Sequence, residues 1–158
     1  MSAETSVPPP QESGVDISDS ALLRGITAEA PFAFAVFDVE GRFQRVNEAF
    51  TDLTGLPVDR HIGRLPEEFL PADLAAVMSG AVRRVVEEDR PVTDGNVRTR
   101  LAGGETRHWS LAFFPARDEG RLIGVGMFGS DVTERQRQED ELRRNEERYR
   151  SLVESQQQ

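Results

Sequence analysis

The side chains able to do chemistry in this 158-residue chain are few. There is no cysteine, there are two histidines, and all nineteen basic residues are arginine. Thiolate nucleophiles, thiolate metal ligands, disulfides and any sulfur bond from protein to flavin or chromophore are therefore excluded. So are lysine Schiff bases and the lysine of a P-loop. His61 lies in the turn-rich stretch "DRHIGRLPEEFL" and His108 stands beside Trp109. One imidazole without partners is a weak metal signal, so each is expected as an ordinary surface or hydrogen-bonded histidine, with no metal site. The acidic runs "PEE" (66–68) and "EED" (87–89) fall in a loop and at a helix end, where a solvated face explains them. "AGGE" (102–105) lacks the strand-to-helix setting of a phosphate cradle and reads as a hairpin turn. Catalysis needs a nucleophile with its base, a metal cluster, or carboxylates in separated environments, and these residues supply none. The chain is not expected to be an enzyme.

Composition narrows the remaining classes. With 37% hydrophobic and 30% charged residues, the length suits one core of ~100–130 residues plus appendages. A formal net charge of −9 argues against nucleic-acid binding, which needs a basic surface to neutralise phosphates. No run of ~18 apolar residues could span a membrane, and "MSAETSVPPPQESG" has neither the basic start nor the apolar stretch of a signal peptide. A cytoplasmic location without a membrane segment is expected.

The elements that must position any site follow from periodicity. Residues 1–17, with three consecutive prolines, form a leader too polar to offset its ordering entropy. Ser18 or Asp19 then caps a short amphipathic helix carrying Leu22, Leu23 and Ile26, which Pro31 ends. Two strands, Phe32–Asp38 and Arg42–Val46, flank a turn at Glu40–Gly41, and the first is apolar on both faces. Asn47 caps a short helix with Phe50, Leu53 and Leu56 on one side, stopped by Gly55 and Pro57. Pro71 opens the clearest helix, with Leu74, Val77, Met78, Ala81, Val82 and Val85 in one stripe. Three strands follow, Val92–Leu101, Arg107–Ala116 and Leu122–Ser130, joined by glycine-containing turns. In the middle one Trp109, Leu111 and Phe113 alternate with His108, Ser110 and Ala112, giving one strongly apolar face. Gly124, Gly126 and Gly129 weaken the last strand unless something approaches closely, either a ligand or the leader helix. The order predicts an α+β domain: a five-stranded antiparallel sheet with helices on one face.

From Asp131 onward the chain is almost all charge. Asp131 with Glu134 three residues later fits a capping box, in which the Asp131 carboxylate accepts from the Thr133 or Glu134 N–H and Glu134 reaches back. Glu139–Arg143, Asp140–Arg144 and Glu146–Arg150 stand at i, i+4 in the favourable orientation. Leu142, Asn145, Tyr149 and Leu152 fall on a short a–d seam, a thin coiled coil whose polar Asn145 can set register and oligomer state.

Three stretches carry a resemblance to a known family: "FAVFDVEGRFQRVNEAFTDLTGL", "GETRHWSLAFFPARDEGRLIGVGMFGSDVTE", and the closing Asp-Val-Thr-Glu before a charged helix. In order and spacing the chain resembles the PAS domain from about Ala21 to Glu134. The resemblance implies residues 18–130 as the domain with an N-terminal cap helix, and 131–158 as a signalling helix leading to a further domain of a bacterial receptor. It implies a small apolar pocket between sheet and helices, for which Phe37, Phe50, Leu53, Met78, Val82, Trp109, Leu111, Phe113 and Met127 are the candidates. Aromatic and Met residues at helical and strand spacing are, however, more usually plain core, and that reading of the same residues carries the greater weight. The light-sensing flavin branch needs a cysteine near Asn47, and haem-binding members take a histidine from the long helix; both are missing here. A noncovalent flavin or small metabolite stays open. The signal exit would be Asp131, Thr133 and Glu134, and the seam would serve a homodimer. The implied function is a sensory, regulatory module attached to an output domain such as a kinase, phosphatase or cyclase. The alternative is a ligand-free dimerisation module.

Overall fold

The structure is a computed structural model that describes residues 21, 22, 24, 25, 32–100 and 103–157. Ala21, Leu22, Arg24 and Gly25 are helical; the remainder of the expected cap helix and the whole leader lie outside the described residues.

Five strands form one sheet: β1 (Ala33–Phe37), β2 (Phe43–Val46), β3 (Val92–Arg100), β4 (Thr106–Asp118) and β5 (Arg121–Asp131). All four pairings are antiparallel and the spatial order is β2-β1-β5-β4-β3. Three of the pairs are hairpins. The fourth, β1 with β5, aligns Ala33 with Gly129 and Phe37 with Val125, so the first and last strands lie side by side in the middle of the sheet. The β1–β2 turn is held by Asp38, whose Oδ1 accepts from the N–H groups of Glu40 and Arg42 at 3.0 and 2.9 Å.

Helix α1 (Glu48–Thr54) starts where expected, with the Asn47 side chain accepting from the Phe50 N–H, and ends at Gly55 in the left-handed conformation. Two single turns, Val58–Arg60 and Pro66–Glu68, lead to α2 (Ala72–Glu88). Asp89 closes α2 at φ 53°, uncommon for a residue with a Cβ, and Arg117 of β4 donates to both its carbonyl and its carboxylate. The apolar stripe of α2 turns Leu74, Met78, Val82 and Val85 inward. They meet Phe37 of β1, Phe43 of β2, Val97 of β3, Trp109, Leu111 and Phe113 of β4, and Val125 and Met127 of β5 in one core cluster. The pleat puts these alternate strand residues on a single face, and both helices cover it.

Helix α3 (Thr133–Ser155) leaves the end of β5, and Thr133 is its only buried residue.

Candidate functional site

The nine candidate pocket residues converge on the inner face of the sheet. All are between 0% and 3% exposed and belong to the core cluster. Their walls are apolar and aromatic: the Phe37 ring lies 4.5 Å from Phe43 and 6.4 Å from Phe113, centroid to centroid. Trp109 is oriented by a bond that its type alone does not reveal, its Nε1–H donating to the Thr99 hydroxyl at 3.0 Å. A cleft of about 440 Å³ opens from outside between α1, the start of α2 and β3, with Leu53 and Leu74 on its floor. A second, of about 530 Å³, lies between the β1–β2 turn and α2 beside Leu65, Val82 and Val86. Leu53 and Val82 are thus the candidate residues at which the core meets a cleft.

His61 is fully buried, where a loop histidine was expected only to be hydrogen-bonded or on the surface. Its Nδ1 is 2.9 Å from the Pro57 carbonyl and its Nε2 2.9 Å from the Thr54 hydroxyl. Only the neutral ring with the proton on Nδ1 donates to the first and accepts from the second. The rings of Phe43, Phe50 and Phe69 enclose it edge-on at 5.2–5.4 Å. Desolvation in this cage lowers its pKa below the ordinary 6.5, and hydrogen bonding to Pro57 offsets that only in part. With both nitrogens engaged, His61 could ligate a metal or haem only by giving up a bond. Among the described residues no cluster of three or more His, Asp or Glu could hold a metal ion. His108, on the opposite face of β4 from Trp109, is half-buried.

Asn47 does more than cap α1. Its Oδ1 accepts from both the Phe34 and Phe50 N–H groups, at 2.9 and 3.0 Å, and its Nδ2 donates to the Phe32 carbonyl at 2.9 Å. The side chain is 3% exposed, so it ties the outer end of β1 to α1 in a dry environment. Its position before an apolar helical run signalled the cap, but nothing in the sequence signalled the partners in β1.

Among the described residues, the close approaches at the last-strand glycines come from neighbouring strands and their side chains. A Cβ at Gly124 would strike the Phe37 carbonyl oxygen of β1, and one at Gly126 would strike the Phe114 ring. At Gly129 it would lie 2.9 Å from Leu111 Cδ2. Over Gly126, Phe114 stacks on Phe128 at 5.3 Å, and Phe128 meets Phe32 edge-on at 5.2 Å.

The strand-to-helix exit differs from the expected capping box. Asp131 ends β5 and its Oδ1 accepts from the Thr133 N–H at 2.9 Å, as expected, and also from the Thr133 hydroxyl. Glu134 does not reach back, because the residue preceding α3 is Val132 and the Glu134 carboxylate faces the next turn, accepting from Gln138 Nε2 at 3.4 Å. Instead Asp131 Oδ2 takes Arg107 Nη1 at 3.0 Å, the Thr133 hydroxyl accepts from the His108 N–H at 2.9 Å, and the Val132 N–H donates to the His108 carbonyl at 2.8 Å. Burial raises the Asp131 pKa, but bonding from the Thr133 hydroxyl and N–H and from Arg107 outweighs it, so the carboxyl sits below its ordinary 3.8. The start of α3 is therefore latched to β4 as well as β5. Arg137 adds a contact to Glu105 in the β3–β4 turn at 3.6 Å.

Beyond the latch the expected i, i+4 pairs do not form. Arg143 turns to Asp140 at 2.9 Å, Glu139 is near Arg135 at 3.9 Å, and neither Arg144 nor Glu146 with Arg150 forms an ion pair. On an exposed helix such alternatives are nearly isoenergetic. The seam stands clear of the domain, with Leu142 61%, Tyr149 72% and Leu152 60% exposed. No helix of the described residues is long and apolar enough to cross a membrane.

Residues 27–137 match the sequence family described as the PAS fold. No curated protein matches the chain significantly. Among solved structures, the chain is similar to the PAS domain of Bordetella pertussis BvgS at 29% identity and TM-score 0.61, over 80% of this chain and 95% of that one. It is similar to VqmA bound to DPO at 27% identity and TM-score 0.59, over 66% and 53% respectively. The fold is shared with the Vibrio cholerae VqmA dimer at 24% identity and TM-score 0.63, over 74% and 52%. The chain thus spans about half the length of the VqmA structures.

Proposed function

The chain belongs to the PAS family, and on that premise we propose that it is the sensory input module of a larger signalling protein. A small molecule lodged among Phe37, Phe50, Leu53, Met78, Val82, Trp109, Leu111, Phe113 and Met127 biases the sheet, and Asp131 and Thr133, held to Arg107 and His108 of β4, pass the bias into α3, with Glu134 following as part of its first turn. The observation that carries this is the latch. The β4 segment whose Trp109 and Leu111 line the core also supplies, through His108 and Arg107, the bonds that hold the first residues of α3. A displacement of β4 therefore moves the root of the helix without any further relay. VqmA, 27% identical to this chain over the matched part, is described as bound to DPO, and supports the reading to that extent. Apolar walls suit a small metabolite or a noncovalently held flavin ring, recognised by shape with few polar contacts. Work at a membrane or on nucleic acid forms no part of this function, and chemistry would reside in an attached kinase, phosphatase or cyclase.

Native mass spectrometry of the purified chain, with thermal melts against flavins and a metabolite panel, tests the reading. A ligand present at 100 times its Kd adds about 2.7 kcal/mol of stability, a shift of several degrees. A stoichiometric small molecule or a saturable rise in Tm supports sensing; neither, across the panel, overturns it. The second reading is a ligand-free dimerisation module, favoured by the close packing of the same residues in one core cluster.

A further inference from the structure

We propose that the exposed seam of α3 is a docking surface for a helix whose own apolar strip is flanked by Lys or Arg, and not for a second copy of itself. The proposal rests on the reading of α3 as the output element and adds what that element engages. Leu142, Tyr149 and Leu152, with Val153 at 41% exposure beside them, form an apolar strip that none of the described residues covers. A helix projecting such a strip into water, with Thr133 as its only buried residue, has its partner elsewhere.

Charge decides which partner. With Leu142 and Tyr149 at a positions, and Asn145 and Leu152 at d, the flanking e positions are Glu139, Glu146 and Val153 and the g positions are Glu134, Glu141 and Arg148. In a parallel pair of identical helices each g residue meets the e residue of the next heptad on the other helix. Glu134 then faces Glu139, and Glu141 faces Glu146. An antiparallel pair that sets Leu142 against Leu152 of its mate brings Glu146 against Glu146 and Arg148 against Arg148. Both symmetric arrangements that bury the leucines confront like charges. Glu141 and Glu146 are moreover not neutralised within the helix: the ion pairs along α3 are Arg135–Glu139 and Arg143–Asp140. The arginines Arg137, Arg143, Arg144 and Arg150 lie at b and c positions, away from the seam edge. From Glu134 to Glu146 the seam is thus bordered by acidic side chains, with Arg148 and Val153 only at its far end, and that acidic stretch is complementary to a strip with basic borders.

The test uses the full chain and two synthetic three-heptad peptides with Leu at every a and d position. One carries Lys at all e and g positions, the other Glu, and a scrambled form of the Lys peptide controls for attraction to the chain's net negative charge. Fluorescence anisotropy should show the Lys peptide binding at least tenfold more tightly than either of the others, and weakening as salt is raised. Leu142→Ser with Leu152→Ser should remove that binding, and Glu141→Arg with Glu146→Arg should reverse the preference toward the Glu peptide. These exposed changes leave the sheet intact, which the unchanged melting of each variant would verify. Equal binding of all three peptides, no binding, or an unreversed preference overturns the proposal. So does a wild-type dimer, seen by sedimentation, that Leu142→Ser with Leu152→Ser dissociates. A ligand-induced Tm rise is independent of all these outcomes, so the sensory reading can survive where the docking proposal fails.

Discussion

Replacing Asp131 with alanine removes the junction latch while leaving the core untouched. Oδ1 is the acceptor for the Thr133 N–H, a bond equivalent to a helix cap and worth about 1 kcal/mol. Oδ2 pairs with Arg107, but both side chains are about a third exposed, at 34% and 32%, so screening limits this pair to roughly 0.2–1 kcal/mol. The loss of about 1–2 kcal/mol falls on the root of α3, because Thr133 is the only buried residue of that helix and Trp109 and Leu111 stay packed. Native-state hydrogen exchange is the assay. The His108 and Val132 amides, bonded to the Thr133 hydroxyl and to the His108 carbonyl, should exchange about five- to thirtyfold faster. The amides of Phe113 and Met127 in mid-sheet should not change. Asp131→Asn keeps an acceptor for the Thr133 N–H and should recover most of the protection. Acid gives the same result by another route. The native pKa of Asp131 is depressed, so its contribution is complete above the ordinary 3.8 and is lost as pH falls through the lower native value. Unaltered exchange at His108 and Val132, or acceleration spread evenly over the sheet, would refute the latch.

Asn47→Ala removes the cap of α1 and strands the buried Phe34 N–H, so it should cost about 2–4 kcal/mol in urea unfolding, more than a cap alone. Because His61 has a lowered native pKa, the unfolded chain binds its proton first as pH drops below 6.5, and stability should fall by up to about 1.4 kcal/mol per pH unit there. His61→Gln should abolish that slope between pH 7.5 and 5.5, even though it lowers stability at both. Gly124→Ala drives a methyl into the backbone carbonyl of Phe37, whereas Gly126→Ala meets a half-buried Phe114 ring that can swing outward. Thermal melts should place the first toward the upper end of about 1–3 kcal/mol and the second near the lower end.

Much of the architecture was legible because its signals are local. The alternation of Trp109, Leu111 and Phe113 marked the inner face of β4, and the stripe from Leu74 to Val85 marked the inner face of α2. Asn47 and Gly55 marked the ends of α1. Each of these depends on residues within a turn or a hairpin of one another. The partners at the candidate site are separated by more chain. Thr99 under Trp109 belongs to the neighbouring strand, and the cage around His61 combines β2, α1 and the loop before α2. Arg107 and His108 reach Asp131 and Thr133 across 24 and 25 positions. Periodicity carries no information about such pairs.

By itself, then, the sequence determined the class of the molecule. Without cysteine or lysine, with two isolated histidines and a net charge of −9, it pointed to an α+β module with an exposed helical exit. That follows from side-chain chemistry and from spacing, both of which are local. Tertiary structure decided what holds that exit. The pairing of β1 with β5 brings the two ends of the domain to its centre, and the β4–β5 register sets Trp109 opposite Asp131. Only in that register does Asp131, which the sequence offered as half of a capping box, have Arg107 and the His108 backbone within reach. A capping residue thereby becomes a junction between sheet and helix.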